Sequence, residues 1–156
     1  MSLTLYLHPF ASYCQKALIA FYEKAVAFTP RLVESEADWA ALRQLWPIGK
    51  FPVLTDGDLV VPEATIIIEY LDEKHPGPTQ LVPARADLAR QARLADRFFD
   101  NYVMAPMQQI VGDRLRPADA KDPTGVAAAR TLLGTAYGMI EAKMAARGDL
   151  QRSQLA

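Results

Sequence analysis

Between Gly49 and Leu71 the chain carries the punctuation that most restricts how it can fold. Gly49-Lys50-Phe51-Pro52-Val53-Leu54 is followed at once by Asp56-Gly57, and then by Glu63-Ala64-Thr65-Ile66-Ile67-Ile68-Glu69-Tyr70-Leu71. The order reads as a strand, a two-residue turn, a second strand and an amphipathic helix, with a proline where the first strand begins. Asp-Gly between short apolar runs signals a hairpin, because both central residues of such a turn need positive φ. A proline donates nothing to a sheet ladder, so Pro52 belongs at the strand's first position. Two readings of Pro52 stay open on these residues alone. Either it only starts the strand, or the Phe51-Pro52 bond is cis and Phe51 presents a free N–H and C=O to another peptide.

Upstream, Leu3-Thr4-Leu5-Tyr6-Leu7 is a strand-like run broken by His8-Pro9-Phe10-Ala11. Ser12-Tyr13-Cys14-Gln15 then opens a helix to about Lys24, with Ser12 as N-cap and Gln15 as its capping-box partner. Ala27 to Val33 reads as a second strand, and Ser35-Glu36-Ala37-Asp38 caps another helix that ends near Leu45-Trp46-Pro47. The predicted order is β-α-β-α-β-β-α. A helix joins the first two strands, so they should be parallel with a right-handed crossover.

Composition narrows the function classes. The chain has 156 residues, 51% of them hydrophobic, and a formal charge of −1, which suits a globular enzyme or binding protein with a sizeable core. No apolar run approaches bilayer length, and no basic segment followed by an apolar stretch opens the chain, so neither a membrane span nor a leader is expected. A single cysteine, Cys14, excludes an internal disulfide framework and is compatible with a reducing cytoplasm, the expected location. No basic excess suggests nucleic acid, no glycine-rich loop suggests phosphate, and no Cys/His spacing suggests a metal.

Charge divides the chain. Residues 1–77 carry 6 basic and 10 acidic side chains, and residues 78–156 carry 11 and 8. His75-Pro76-Gly77-Pro78 ends a helix and marks the expected boundary between domains 1–77 and 78–156. Beyond it Leu88, Ala92, Ala95, Phe99, Tyr102, Val103 and Ile110 recur at helical steps, predicting one long helix kinked at Pro106. Asp122-Pro123 gives an N-cap and a first-turn proline. Val126, Ala129, Leu133, Ala136 and Ile140 carry that helix to Gly148, read as its stop, with a polar tail to Ala156. Two helices apolar on one face should leave apolar surface uncovered.

The strand-1 turn, the Gly-Lys-Phe-Pro-Val-Leu segment and the Glu-Ala-Thr-Ile-Ile-Ile-Glu-Tyr-Leu helix start, in this order, resemble the thioredoxin-like N-terminal domain of the glutathione S-transferase family over residues 3 to about 77. The helix pair after it resembles the first two helices of that family's all-α domain. The fold implied is therefore an α/β thioredoxin-like N-terminal domain followed by a truncated all-α helical domain. The family normally continues with several more helices.

By that resemblance, glutathione is the co-substrate and no metal is involved. The Phe51 backbone before a cis-Pro52 would pair with the cysteinyl unit like an added strand. Glu63 would take the γ-glutamyl amine, Lys50 the glycyl carboxylate, and the amides that open the following helix, beginning at Ala64, the other carboxylate. Many relatives have Ser where this chain has Ala64, so one hydroxyl contact is lost while the backbone N–H survives and Thr65 stands next to it. The ordinary alternatives are a helix cap for Glu63 and a solvated loop charge for Lys50.

Transfer chemistry needs a hydroxyl or thiol donor and the positive end of a helix to lower the glutathione thiol pKa. Ala11 occupies the position that is Ser or Cys in many relatives. Ser12 is the nearest hydroxyl; it reads equally as N-cap and as catalytic donor, and one hydroxyl can serve both roles. Cys14 is the second candidate, since Ala11-Ser12-Tyr13-Cys14 has the spacing of a Cys-x-x-Cys motif without its first cysteine. Its plain alternative is a small buried packing residue. Tyr6 and Tyr13 are candidates by type, while His8 and His75 read as packing and helix-end residues.

The activity implied is conjugation of the glutathione thiolate to a hydrophobic electrophile. Phe10, Tyr13, Tyr102, Met104, Met107 and Ile110 would line the electrophile's cleft between domains, as in the family. The alternatives are a non-catalytic glutathione-fold interaction module and a Cys14-dependent thiol transferase. Glu69, Asp72 and Glu73 on one helix and Arg90, Arg93 and Arg97 on the next predict a homodimer that joins acidic to basic faces, as the family dimerises. Two separately solvated faces are the plain alternative. Neither nucleic acid nor a membrane is an expected partner.

Overall fold

A computed structural model describes residues 3–153, with side chains through 146. It divides into two compact units, Met1–Ala92 and Arg93–Ala156.

The first unit is built on a four-stranded mixed sheet of β1 (Leu3–Leu7), β2 (Thr29–Leu32), β3 (Val53–Asp56) and β4 (Leu59–Pro62), in the order β2-β1-β3-β4. β1 and β2 are parallel with Leu5 opposite Pro30, while β1 pairs antiparallel with β3, Leu5 opposite Leu54. β2 is an edge strand, which is where a proline such as Pro30 can sit without breaking a central ladder. The strands alternate between two cores. Leu3, Leu5, Leu7, Leu54 and Val61 face α1 (Ser12–Glu23) and α3 (Ala64–Lys74), whereas Val33 and Val53 face α2 (Glu36–Leu45) through Leu42. The result is three layers: two helices, the sheet, then one helix.

Local chemistry sets most helix ends. Ser35 caps α2 in a full capping box, its Oγ accepting from Asp38 N–H at 3.2 Å and Asp38 Oδ2 accepting from Ser35 N–H at 3.0 Å. The Ser35 hydroxyl donates to the same carboxylate, and these bonds hold the half-buried Asp38 carboxyl below its usual range. α1 departs from expectation. Ala11 is its N-cap, in extended conformation, and Ser12 is already its first helical residue. The turn that closes with Ala11 N–H to His8 C=O at 3.0 Å starts the helix one residue early. Gln15 reaches back to Pro9 C=O instead of capping an amide.

The hairpin differs by one position too. Asp56 pairs with Leu59, so Gly57 and Asp58 form the loop, and of the two only Gly57 has positive φ. That is the requirement of a type II′ turn, with glycine first, and not of the turn in which both central residues need it.

Asp72 was expected on an exposed acidic face; it is instead half of an internal clamp. Lys24 Nζ, at the end of α1, lies 2.9 Å from Asp72 Oδ1 and 3.0 Å from Thr79 C=O. Asp72 also accepts from Leu81 N–H at 3.0 Å and Val82 N–H at 2.7 Å. The side chains are 2% and 13% exposed. Five-residue sequence rules cannot find this pair, because 48 residues separate its members.

Helix α4 (Ala86–Phe98) runs into a π-helical segment (Phe99–Met104) and then α5 (Ala105–Leu115). The sequence predicted a helix kinked at Pro106. The chain instead widens to π-helical turns just before the proline, which then occupies the first turn of α5, where its missing N–H is least costly.

In the second unit, a 3-10 turn at Ala118–Ala120 leads to α6 (Pro123–Ser153), capped by Asp122 Oδ1 accepting from Gly125 N–H at 2.8 Å. α6 packs along α5 and the π segment through small buried residues, Ala129 and Ala136. Gly148 does not stop it: the helix passes through to Ser153. The residues of the expected tail beyond 153 lie outside those described. Leu115, Val111, Tyr137 and Met139 are exposed, the uncovered apolar surface that two such helices imply. Among the described residues no helix is long and apolar enough to cross a membrane.

Candidate functional site

Register gathers three loops at one end of the first unit's sheet. Tyr6 on β1 and Pro62 on β4 both pair with Val53, the first residue of β3. The end of β1, the start of β3 and the end of β4 therefore coincide. His8 to Ser12, Lys50 to Pro52, and Glu63 to Ala64 leave the sheet there together.

At the middle loop the Phe51-Pro52 peptide is cis and Pro52 is buried. Both ladders of β3 begin at Val53, so Phe51 lies outside them. Its ring packs against both cores, beside Trp39 at 5.2 Å between centroids and stacked on His8 at 6.0 Å. Lys50 is exposed.

Glu63, the exposed N-cap of α3, has φ of 72° and makes no side-chain cap bond. A non-glycine residue in that region is strained, and such strain clusters at ligand sites. The helix's own ladder begins with Ile67 N–H to Glu63 C=O at 2.9 Å, so the amides of the turn before it point out of its positive end. Ala64 is buried there. Beside it Lys16 Nζ, on α1, donates to Thr65 Oγ1 at 3.1 Å. Lys16 adds positive charge to that helix end. Nothing local in the sequence signals it, since 49 residues separate it from Thr65.

The two candidates for the sulfur chemistry are both inside. Ser12 Oγ is inaccessible and has no hydrogen-bond partner, so the capping role expected of it is not the one it fills. Serving a bound ligand would take a turn of χ1 to another staggered well. Cys14 lies in the core beneath α1, and burial pushes its thiol up to about 11, only partly opposed by a hydrogen bond from the His8 backbone. At neutral pH it is a neutral thiol, not a nucleophilic thiolate. His8 Nδ1 accepts from Phe10 N–H at 3.3 Å, and Phe10 itself is 93% exposed. Tyr6 packs against the core under α2. Among the described residues no three His, Cys, Asp or Glu side chains are grouped to hold a metal.

Residues 5–79 match the family described as glutathione S-transferase, N-terminal domain. A stringent starvation protein A homolog from Histophilus somni is 42% identical over 76 residues, covering 49% of this chain and 36% of that protein. A probable maleylacetoacetate isomerase from Vibrio cholerae is 37% identical over 90 residues, covering 54% and 41%. The chain thus spans well under half the length of these curated relatives. Among solved structures, a glutathione transferase family member from Pseudomonas fluorescens with bound glutathione superposes with a TM-score of 0.81 at 24% identity, covering 94% of this chain and 73% of that one. A glutathione S-transferase from Methylobacillus flagellatus with the same ligand gives 0.80 at 23%, covering 89% and 68%. At such identities these two superpositions speak for the fold alone.

Proposed function

We propose, for a chain whose residues 5–79 belong to the glutathione S-transferase N-terminal domain family, that it binds glutathione where the three loops meet and adds the thiolate to a hydrophobic electrophile. The observation that carries this reading is the register that brings Phe51, Glu63 and Ser12 to one sheet end. There the Phe51 backbone, outside the ladder, pairs with the cysteinyl unit as an added strand would. Glu63 takes the γ-glutamyl amine. The carboxylate beside that amine meets the amides opening α3 at Ala64, where the helix dipole and Lys16 both favour an anion. Lys50 pairs with the glycyl carboxylate.

The thiol then lies near the start of α1, whose positive end lowers its pKa. With χ1 turned outward, Ser12 donates its hydroxyl proton to the sulfur and stabilises the thiolate. The thiol proton leaves to solvent, and a sulfur electron pair forms the C–S bond. A leaving group departs with its own pair or, in addition reactions, the substrate carbon is protonated. The buried, protonated state of Cys14 weighs against the thiol-transferase reading.

One observation favours a second reading, a glutathione-fold module without catalysis: Ala11 carries no donor and the Ser12 hydroxyl is inaccessible. Retention on immobilised glutathione followed by a conjugation assay with an aryl halide separates the two. Retention with turnover supports the transferase, and retention without turnover supports the module. A chain that passes through unretained refutes both.

The reading extends to domains 1–77 and 78–156, a cytoplasmic location and a homodimer. Asp72 is spent on Lys24 and Arg97 lies 3.2 Å from both Asp96 and Asp100, so these two contribute least to a seam between copies. Light scattering in low salt at micromolar concentration tests this, and a monomer there refutes it.

A further inference from the structure

Phe51 poses a physical problem. If its backbone N–H and C=O serve a bound peptide, they cannot also be tied into the sheet, and the β3 ladders do begin only at Val53. Its position must then come from its side chain. That ring touches both cores and packs with the rings of His8 and Trp39.

Trp39 belongs to α2, and α2 meets this segment twice. Trp39 reaches Phe51, with ring centroids 5.2 Å apart and planes at 36°. One turn on, Arg43 lies with its guanidinium 6.0 Å from the Trp39 ring centroid. The Arg43 stem runs against Gly49, its Cγ only 3.1 Å from where a Cβ would stand, and Gly49 holds φ of +64°. Both ends of residues 49–51 therefore rest on side chains of one helix. The Ser35–Asp38 capping box fixes the start of that helix, and Trp39 N–H to Ser35 C=O at 3.0 Å is the rung that follows.

We propose that Trp39 is a positioning residue for the glutathione site, holding the Phe51 ring so that its unpaired backbone stays set to accept the cysteinyl unit. This rests on the glutathione reading above. Trp39 touches no ligand; it acts through Phe51. The rival account is that Trp39 only anchors α2, whose one fully buried side chain is Leu42.

The test compares Trp39→Ala, Trp39→Phe and Leu42→Ala by calorimetric titration with glutathione, at a temperature where thermal melts show each variant folded. The Phe51 amide resonance is followed alongside. Trp39→Ala should weaken glutathione about tenfold and move the Phe51 amide, and Trp39→Phe should recover most of both. Leu42→Ala, although it also loosens α2, should bind within about twofold of the parent. Equal binding by Trp39→Ala and the parent, or equal weakening by Leu42→Ala, overturns the proposal. Should the parent not bind glutathione, the functional reading fails separately. The brace is then judged on the unliganded Phe51 amide, which Trp39→Ala must move and Trp39→Phe restore.

Discussion

Removing the Asp72 carboxylate should cost more than removing its partner Lys24, and the structure says why. In Asp72→Ala the ammonium of Lys24, 2% exposed, keeps only the Thr79 carbonyl at 3.0 Å. The amides of Leu81 and Val82 lose their acceptor at the same time. Breaking a buried pair from one side typically costs about 3–5 kcal/mol, because a charge is left buried and unmatched. In Lys24→Met the carboxylate still accepts from both amides and is the more exposed partner, so the cost should fall to about 1–3 kcal/mol, the range for one lost charged hydrogen bond. Against a total of about 5–15 kcal/mol for a typical domain, both are measurable and neither must unfold the unit.

Burial alone would raise the Asp72 pKa, but hydrogen bonds from Lys24, Val82 and Leu81 and the Lys24 charge outweigh it and hold the folded value below 3.8. A depressed carboxyl contributes its full stability above the unfolded value. That contribution is lost as pH falls below 3.8 through the folded value. Urea denaturation should therefore show the parent losing more stability than Asp72→Asn over that window. Hydrogen exchange at the Leu81 and Val82 amides reads the clamp locally and should accelerate most in Asp72→Ala. If Lys24→Met costs as much as Asp72→Ala, or exchange at those amides is unchanged in both, the clamp does not hold the segment after α3.

Three further outcomes are expected. Ala25, just past α1, has φ of 52° while Val26 N–H bonds Phe21 C=O at 3.0 Å, so Ala25→Gly should stabilise by about 0.5–1 kcal/mol in urea melts; a loss would mean the left-handed position is not strained. Ser12→Ala removes a buried hydroxyl without a partner and should leave stability within about 0.5 kcal/mol of the parent. It should nonetheless slow conjugation at neutral pH and raise the pKa of bound glutathione; a stability loss of about 1 kcal/mol would restore the capping role. Cys14, with its thiol near 11, should react with iodoacetamide at pH 7.5 only as fast as the unit opens, so rapid labelling of folded protein would refute its burial.

What the residues reveal in advance is what short-range chemistry decides. Ser35 and Asp38 stand three apart, and the cap read there formed, as a full capping box. The strand and helix order of the first unit followed from period-two and period-3.6 runs punctuated by Pro and Gly. Ser12 misled for a local reason of another kind: any Ser before a helical run looks like a cap, yet the His8 to Ala11 turn had already placed the cap at Ala11. Asp72 misled, and Lys16 went unread, for a tertiary reason. On a helical wheel each is one more surface charge, and only the packing of α1 beside α3 brings Lys24 to the first and Thr65 to the second.

The site divides along the same line. Phe51, Pro52 and Glu63 are named from the family resemblance, and the backbone then proves unusual at these positions: the Phe51-Pro52 peptide is cis, and Glu63 has positive φ where the strand gives way to a helix. Trp39 carries no such mark. A tryptophan in an amphipathic helix reads as core, and its contact with Phe51 crosses from one layer to the next. Yet a peptide-binding backbone must leave its own hydrogen bonds unmade, so the rigidity it lacks has to come from side chains packed behind it. Groups proposed to touch a ligand thus stand where the chain bends. Groups that hold those groups still become visible only once the layers are packed together.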